Sequence, residues 1–155
     1  MTGRHERSAF ESGSAQLDAW LRHTAQQHQR RGISKTFVAV LDEAPERILG
    51  YYALTVCEIG TGELPEDLAK KLPLKIPGIR LGRLAVDRSV QGQGLGEFLL
   101  MHAIERSRSV LEHVGVHAVF VDAKDERAAA FYRKYGFRPL PDDPLRLVLP
   151  IAGLV

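Results

Sequence analysis

Between Ile79 and Arg106 the chain reads IRLGRLAVD, RSV, QGQGLG and EFLLMHAIER. An apolar run rich in extended-chain formers leads into a turn holding Gly92, Gly94 and Gly96. A helical run follows, with apolar residues at Leu95, Leu99 and Ala103 and again at Leu100, Ile104 and Leu111. Strand, glycine turn and helix together make a unit that can hold phosphate. The first N–H groups of a helix have no partner within it and lie at the positive end of its dipole. Glycine brings them to an anion without a Cβ in the way. Two familiar versions of this unit are excluded. A P-loop needs a lysine after its last glycine, and none follows Gly96. A G-x-G-x-x-G fingerprint starting at Gly92 would need glycine where Glu97 stands. What remains is Q-x-x-G-x-G, from Gln91 to Gly96.

The strand carries a second signal. Its apolar residues alternate at Ile79 and Leu81, then at Leu84 and Val86, and the phase slips by one at Gly82-Arg83. Such a slip is what a β-bulge leaves in a sequence, with backbone groups freed from pairing. A glycine packed against a close neighbour is the other reading of Gly82.

The Gln91–Gly96 segment resembles the acyl-CoA pyrophosphate loop of the GNAT superfamily of N-acetyltransferases, [QR]-x-x-G-x-[GA]. A second landmark, AKDERAAAFYRKYGF from Ala123 to Phe137, is similar to the family's N-x-x-A-x-x-F-Y-x-x-x-G-F, with Asp125 where many members have Asn. The resemblance implies an α+β, three-layer fold: a mixed, mostly antiparallel sheet splayed at the cofactor strand, with helices on both faces. It implies acetyl-CoA held by Leu84, Ala85, Val86, Gln91, Gly92, Gln93, Gly94, Leu95, Gly96, Asp125, Phe131 and Tyr132. The splay would admit the pantetheine arm, and one freed N–H would polarise the thioester carbonyl. Tyr132 would protonate the departing thiolate. A phenol with an ordinary value near 10 is a competent donor to a thiol near 8.5. A core tyrosine with a locally satisfied hydroxyl is the competing reading, and Tyr135 is the second candidate donor.

With 155 residues, 45% hydrophobic and 26% charged, the chain is expected to form a single domain over 1–155. Its formal net charge of only +2 means that a nucleic-acid partner must be met by a local patch. Cys57, the only cysteine, excludes an intrachain disulfide; it reads as a small buried hydrophobe, with a catalytic thiol as the alternative. His23 and His28 are spaced poorly for a shared ligand, so no metal is expected. The opening MTGRHERSAF lacks the apolar core of a signal peptide, and no run approaches a membrane span; the expected location is the cytoplasm.

Residues 14–31 read as a first helix with Leu17, Trp20, Leu21, Ala25 and His28 on one face, capped by Ser12 or Ser14. Strands at 35–41 and 48–59 follow, joined by a break at 42–46. Residues 60–78 form a loop-rich insertion with Pro65, Pro73 and Pro77 and a short helical piece over 66–72. Lys70, Lys71 and Lys75 lie in it, and Arg80, Arg83 and Arg88 come soon after. A solvated basic face and a phosphate-contacting patch both fit this charge. A buried strand over 116–123, a helix from Asp125 to Lys134 stopped by Gly136, and short strands at 137–140 and 145–149 complete the chain.

Taken from Phe10 to Leu149, the order of these segments is similar to TacT-like toxins, GNAT proteins of type II toxin–antitoxin modules. That resemblance implies acetylation of the α-amino group of aminoacyl-tRNA, by direct attack on the thioester in a ternary complex. Lys70, Lys71, Arg80, Arg83 and Arg88 would hold the acceptor end. It also implies a ribbon-helix-helix antitoxin as partner, operator DNA bound only through that complex, and a homodimer. An acetyltransferase of a protein N-terminus, polyamine or drug amine shares the same loop and tyrosine. A non-catalytic co-repressor is the alternative of another class, and the intact loop of Gln91, Gly92, Gly94 and Gly96 argues against it.

Overall fold

Ser14 starts the first helix. Its extended backbone, and a hydroxyl that accepts from the Leu17 N–H at 3.3 Å, cap α1 (Ala15–His23). The single helix expected over 14–31 is broken at Thr24, whose φ of −123° is not helical and whose N–H closes α1 on the Trp20 carbonyl. It resumes as α2 (Ala25–Arg30). The other elements are β1 (Lys35–Ala39), β2 (Gly50–Gly60), α3 (Glu66–Ala69), β3 (Lys75–Val86), α4 (Leu95–Leu111), β4 (Ala118–Asp122), α5 (Glu126–Lys134), β5 (Arg138–Leu140) and β6 (Asp143–Pro150). This computed structural model describes residues 1–152, so the last three residues of the expected 1–155 domain lie outside the described residues.

The strands form one mixed sheet in the order β1-β2-β3-β4-β6-β5. β3 and β4 are parallel; β1–β2, β4–β6 and β5–β6 are antiparallel. A parallel pair needs a crossover, and α4 lies in the one between β3 and β4. β3 begins at Lys75, four residues before the apolar alternation suggests. Pro77 masks the strand in the sequence, yet only its carbonyl is used there, accepting from the His117 N–H at 2.9 Å.

By their contacts the residues group into two units, and β2, β3 and α4 each run from one into the other. The first comprises residues 1–55 and 82–103. Its core is Phe10, Trp20, Leu21, Ala25, Ile48, Tyr51, Ala53 and Ala85. Two polar groups are tied into it: the Tyr51 hydroxyl donates to the Leu17 carbonyl at 2.7 Å, and buried Asp18 accepts from the Ser12 N–H at 3.0 Å and the Ser12 hydroxyl at 2.6 Å. β2, β3 and α4 approach closely at Gly50, where a Cβ would lie 2.8 Å from Leu99 and 3.1 Å from the Ala85 carbonyl oxygen.

The second unit comprises residues 56–81 and those from Ile104 onward. Ile59, Leu64, Ile76, Ala118, Phe120, Leu140 and Val148 form a core there, and Leu68, Ala69 and Leu72 of the insertion pack against it. The β3–β4 ladder runs from Gly78 opposite Ala118 to Leu81 opposite Val121. It ends immediately before Gly82. A Cβ on Gly82 would meet nothing within 4 Å, so this is not a glycine demanded by a packed neighbour.

Candidate active site

The glycine turn belongs to the first unit and is braced from its N-terminal side. Asp87 caps a short 3₁₀ turn over Arg88–Val90. Its carboxylate accepts from the Glu11 N–H at 2.9 Å, the Ser89 N–H at 3.1 Å and the Ser89 hydroxyl at 2.6 Å, while its own N–H donates to the Leu49 carbonyl at 2.8 Å. Burial pushes this carboxyl up. The Ser89 and Glu11 bonds and the Arg47 guanidinium at 3.9 Å outweigh burial and hold it below the usual carboxylate range. Gln91 is used on the protein itself: its side-chain amide donates to the Ser12 carbonyl at 2.6 Å and the Val86 carbonyl at 2.8 Å. The loop is thereby stitched both to the N-terminal segment and to the strand it leaves.

Gly92 and Gly94 have φ of 77° and 85°, and a Cβ on either would meet nothing within 4 Å. Both are exposed, as are Gln91 and Gln93. Left-handed backbone and open space together describe a cradle that only glycine forms without strain. The Gly94 carbonyl accepts from the Phe98 N–H at 3.0 Å, so Gly94 stands at the start of α4, with Leu95 and Gly96 half-buried in its first turn. This arrangement suits a diphosphate. Of the strand residues expected nearby, Ala85 is buried, and Leu84 and Val86 are half-buried.

Tyr132, Phe131 and Asp125 belong to the second unit. Asp125 caps α5, its carboxylate accepting from the Ala128 N–H at 2.8 Å; the Asp found in place of Asn thus serves the helix start, and its side chain is exposed. Tyr132 is 7% exposed, with Phe131 and Phe137 edge-on to its ring at 5.3 and 5.6 Å. Burial pushes its phenol above the ordinary value near 10, so the hydroxyl keeps its proton through the neutral range. Tyr135 is half-buried at the C-terminus of α5, against Phe131 and Lys134. Cys57 is half-buried, and burial raises its thiol, which disfavours the thiolate a nucleophile needs.

The five cations meet different surroundings. Lys70 and Lys71 are exposed neighbours on the turn after α3. Arg80 lies 3.7 Å from Asp122, also in the second unit. Arg83 and Arg88 are in the first unit. Arg83 is half-buried over the Trp20 ring at 4.5 Å, and Arg88 pairs with Glu11 at 3.4 Å. Three of the five therefore already have partners within the chain. Sequence reasoning missed Asp87, although an acidic residue ending an apolar strand before R-S is a readable cap. It also missed Glu63, Asp67, Asp122, Arg138 and Arg146, which join residues up to 83 positions apart and leave no local signal. Among the described residues no group of three or more His, Cys, Asp or Glu is placed to hold a metal, and no helix is long and apolar enough to cross a membrane.

Residues 34–139 match the acetyltransferase (GNAT) domain family. The chain is 38% identical to the tRNA-acetylating toxin of Mycobacterium tuberculosis (strain ATCC 25618 / H37Rv), over 92% of this chain and 84% of that protein. It superposes on AtaT complexed with acetyl-methionyl-tRNAfMet with a TM-score of 0.89 and 34% identity, covering 96% of this chain and 89% of that one. A mutant AtaT toxin bound to the C-terminus of the antitoxin AtaR and to acetyl-CoA matches with a TM-score of 0.80 and 32% identity, covering 94% and 86%. The sheet, the glycine loop and the helix that follows it thus define an acetyl-CoA-dependent N-acetyltransferase. The chain belongs to the GNAT acetyltransferase family.

Proposed function

We propose that this chain is the toxin of a type II toxin–antitoxin pair, acting in the cytoplasm as one GNAT domain that transfers acetyl from acetyl-CoA to the α-amino group of aminoacyl-tRNA. The observation that carries this reading is its likeness, over nearly its whole length, to a tRNA-acetylating toxin. Gly92, Gly94 and Gly96 receive the diphosphate at the start of α4, with Gln91 holding the loop. An α-amine titrates near 8 and is partly neutral at pH 7 without a dedicated base. Its nitrogen attacks the thioester carbonyl, whose developing oxyanion is met by a backbone N–H near Gly82. The C–S bond breaks, the Tyr132 phenol gives its proton to the thiolate, and the amine loses its extra proton to water. The raised thiol of Cys57 favours this direct transfer over an acyl-enzyme. Lys70, Lys71, Arg80, Arg83 and Arg88 meet acceptor-end phosphates. The partner is a ribbon-helix-helix antitoxin whose complex with a dimer of this chain binds operator DNA.

The test is incubation of purified protein with radiolabelled acetyl-CoA and total charged tRNA, across a salt series. Label on the aminoacyl moiety, with transfer falling steeply as salt rises, is the expected result. Absence of label on charged tRNA, with label on a polyamine or peptide amine instead, overturns it.

A further inference from the structure

The insertion between β2 and β3 is fixed to the second unit at two points. Asp67 of α3 takes a two-pronged bond from Arg138, the first residue of β5: Nη1 to Oδ2 at 2.7 Å and Nη2 to Oδ1 at 2.9 Å. Four residues earlier, Glu63 accepts from Arg146 of β6 at 3.0 Å, and the Arg146 Nε lies 3.6 Å from Asp122. Beneath these pairs Leu64, Leu68, Ala69 and Leu72 cover the core around Phe120 and Val148. This apolar face seats α3 against the core but is not directional. Two anchors, one of them a planar fork, fix its orientation as well as its place. The chain leaves α3 directly through Lys70 and Lys71, both exposed, so whatever orients α3 sets where the backbone of these two lysines emerges from it.

We infer that Asp67 and Arg138, seconded by Glu63 and Arg146, are positioning residues that present Lys70 and Lys71 to the phosphates of the tRNA acceptor end. This rests on the function proposed above. The pairs are exposed at the surface, with Asp67 61% and Arg138 46% accessible, so they contribute little to global stability and their effect is local.

The decisive variant is Asp67→Asn, because two explanations give it opposite signs. If Asp67 were only a carboxylate near a phosphate path, its removal would ease repulsion and lower the KM for charged tRNA. If it orients the lysine turn, the KM rises by about threefold or more, with the KM for acetyl-CoA and the melting temperature unchanged. Arg138→Lys, which keeps the charge and loses the fork, should move in the same direction. The exchanged pair Asp67→Arg with Arg138→Asp should return toward the wild-type KM. An unchanged or lowered tRNA KM in Asp67→Asn overturns the inference, as does a rise shared equally by acetyl-CoA. Failure of the wild-type protein to acetylate charged tRNA at all is a separate outcome and overturns the function itself.

Discussion

The guanidinium of Arg83 lies 4.5 Å from the centre of the Trp20 ring, so a residue that counts as surface charge in the sequence is part of how α1 is held to β3. Arg83→Ala should cost about 1 kcal/mol of stability, the range of a partly desolvated cation–π contact. Chemical unfolding followed by the fluorescence of Trp20, the chain's single tryptophan, measures it directly. An unchanged midpoint and slope would mean that the contact carries no net energy. Charge reversal at Arg83 therefore mixes stability with substrate binding, and Lys70→Glu with Lys71→Glu is the cleaner probe of the basic rim.

The loop glycines should fail in two separable ways. At Gly94, φ of 85° makes alanine strained by about 1–2 kcal/mol although its Cβ would meet nothing within 4 Å. At Gly96, inside the first turn of α4, glutamate should leave the fold intact and abolish acetyl-CoA binding by placing a like charge at the N–H groups. Calorimetry showing wild-type affinity in a folded Gly96→Glu protein would remove the phosphate-loop reading.

Tyr132→Phe removes one oxygen and keeps the ring between Phe131 and Phe137. Loss of a general acid lowers turnover by about 10²–10⁴-fold. A fall of less than about threefold would leave Tyr132 as packing alone. The raised phenol adds a pH expectation. Above pH 10 the folded chain holds protons at Tyr51 and Tyr132 that the unfolded chain releases, so stability is level below that pH with respect to these residues and is lost as pH rises beyond it. Unfolding curves at pH 8, 9 and 10.5 check the sign, and no alkaline limb of the rate should arise from Tyr132 below about pH 10.

Asp87 should report at the other end of the scale. Its carboxyl is held below the usual range in the fold, so its contribution is present above about pH 4 and is lost as pH falls through the folded value. Asp87→Ala leaves the Glu11 and Ser89 donors without their acceptor and should cost about 1–3 kcal/mol. It should also weaken acetyl-CoA binding, because the 3₁₀ turn leading into the loop loses its cap. Flat acid stability in wild type and mutant alike would show the carboxylate to be unimportant.

The parts of this molecule set by near neighbours were readable in advance. Helical spacing over 95–111, the glycines at 92 and 94, and the cap at Asp125 each follow from residues within a turn or two. The broken first helix was not readable, because 14–31 keeps one apolar face through Thr24 and the break is made by backbone angles alone. The start of β3 was hidden by Pro77, whose carbonyl still pairs with the His117 N–H. The sequence puts Tyr132 on a helix, as found, but its burial involves Phe137, beyond the turn at Gly136. The anchors of the insertion pair Asp67 with Arg138 and Glu63 with Arg146, and only the folded sheet brings such partners together.

Lys71 holds φ of 64°, the one non-glycine residue among those described with a left-handed backbone. Glycine there would relieve a strain of about 1 kcal/mol. Replacing this one residue should thus give a more stable chain, and a library in which codon 71 is fully varied would drift toward glycine under thermal selection alone. A library selected for heat resistance should accumulate Lys71→Gly, whereas one selected for growth arrest should retain lysine. The frequencies at this single codon would separate what the fold prefers from what the activity requires.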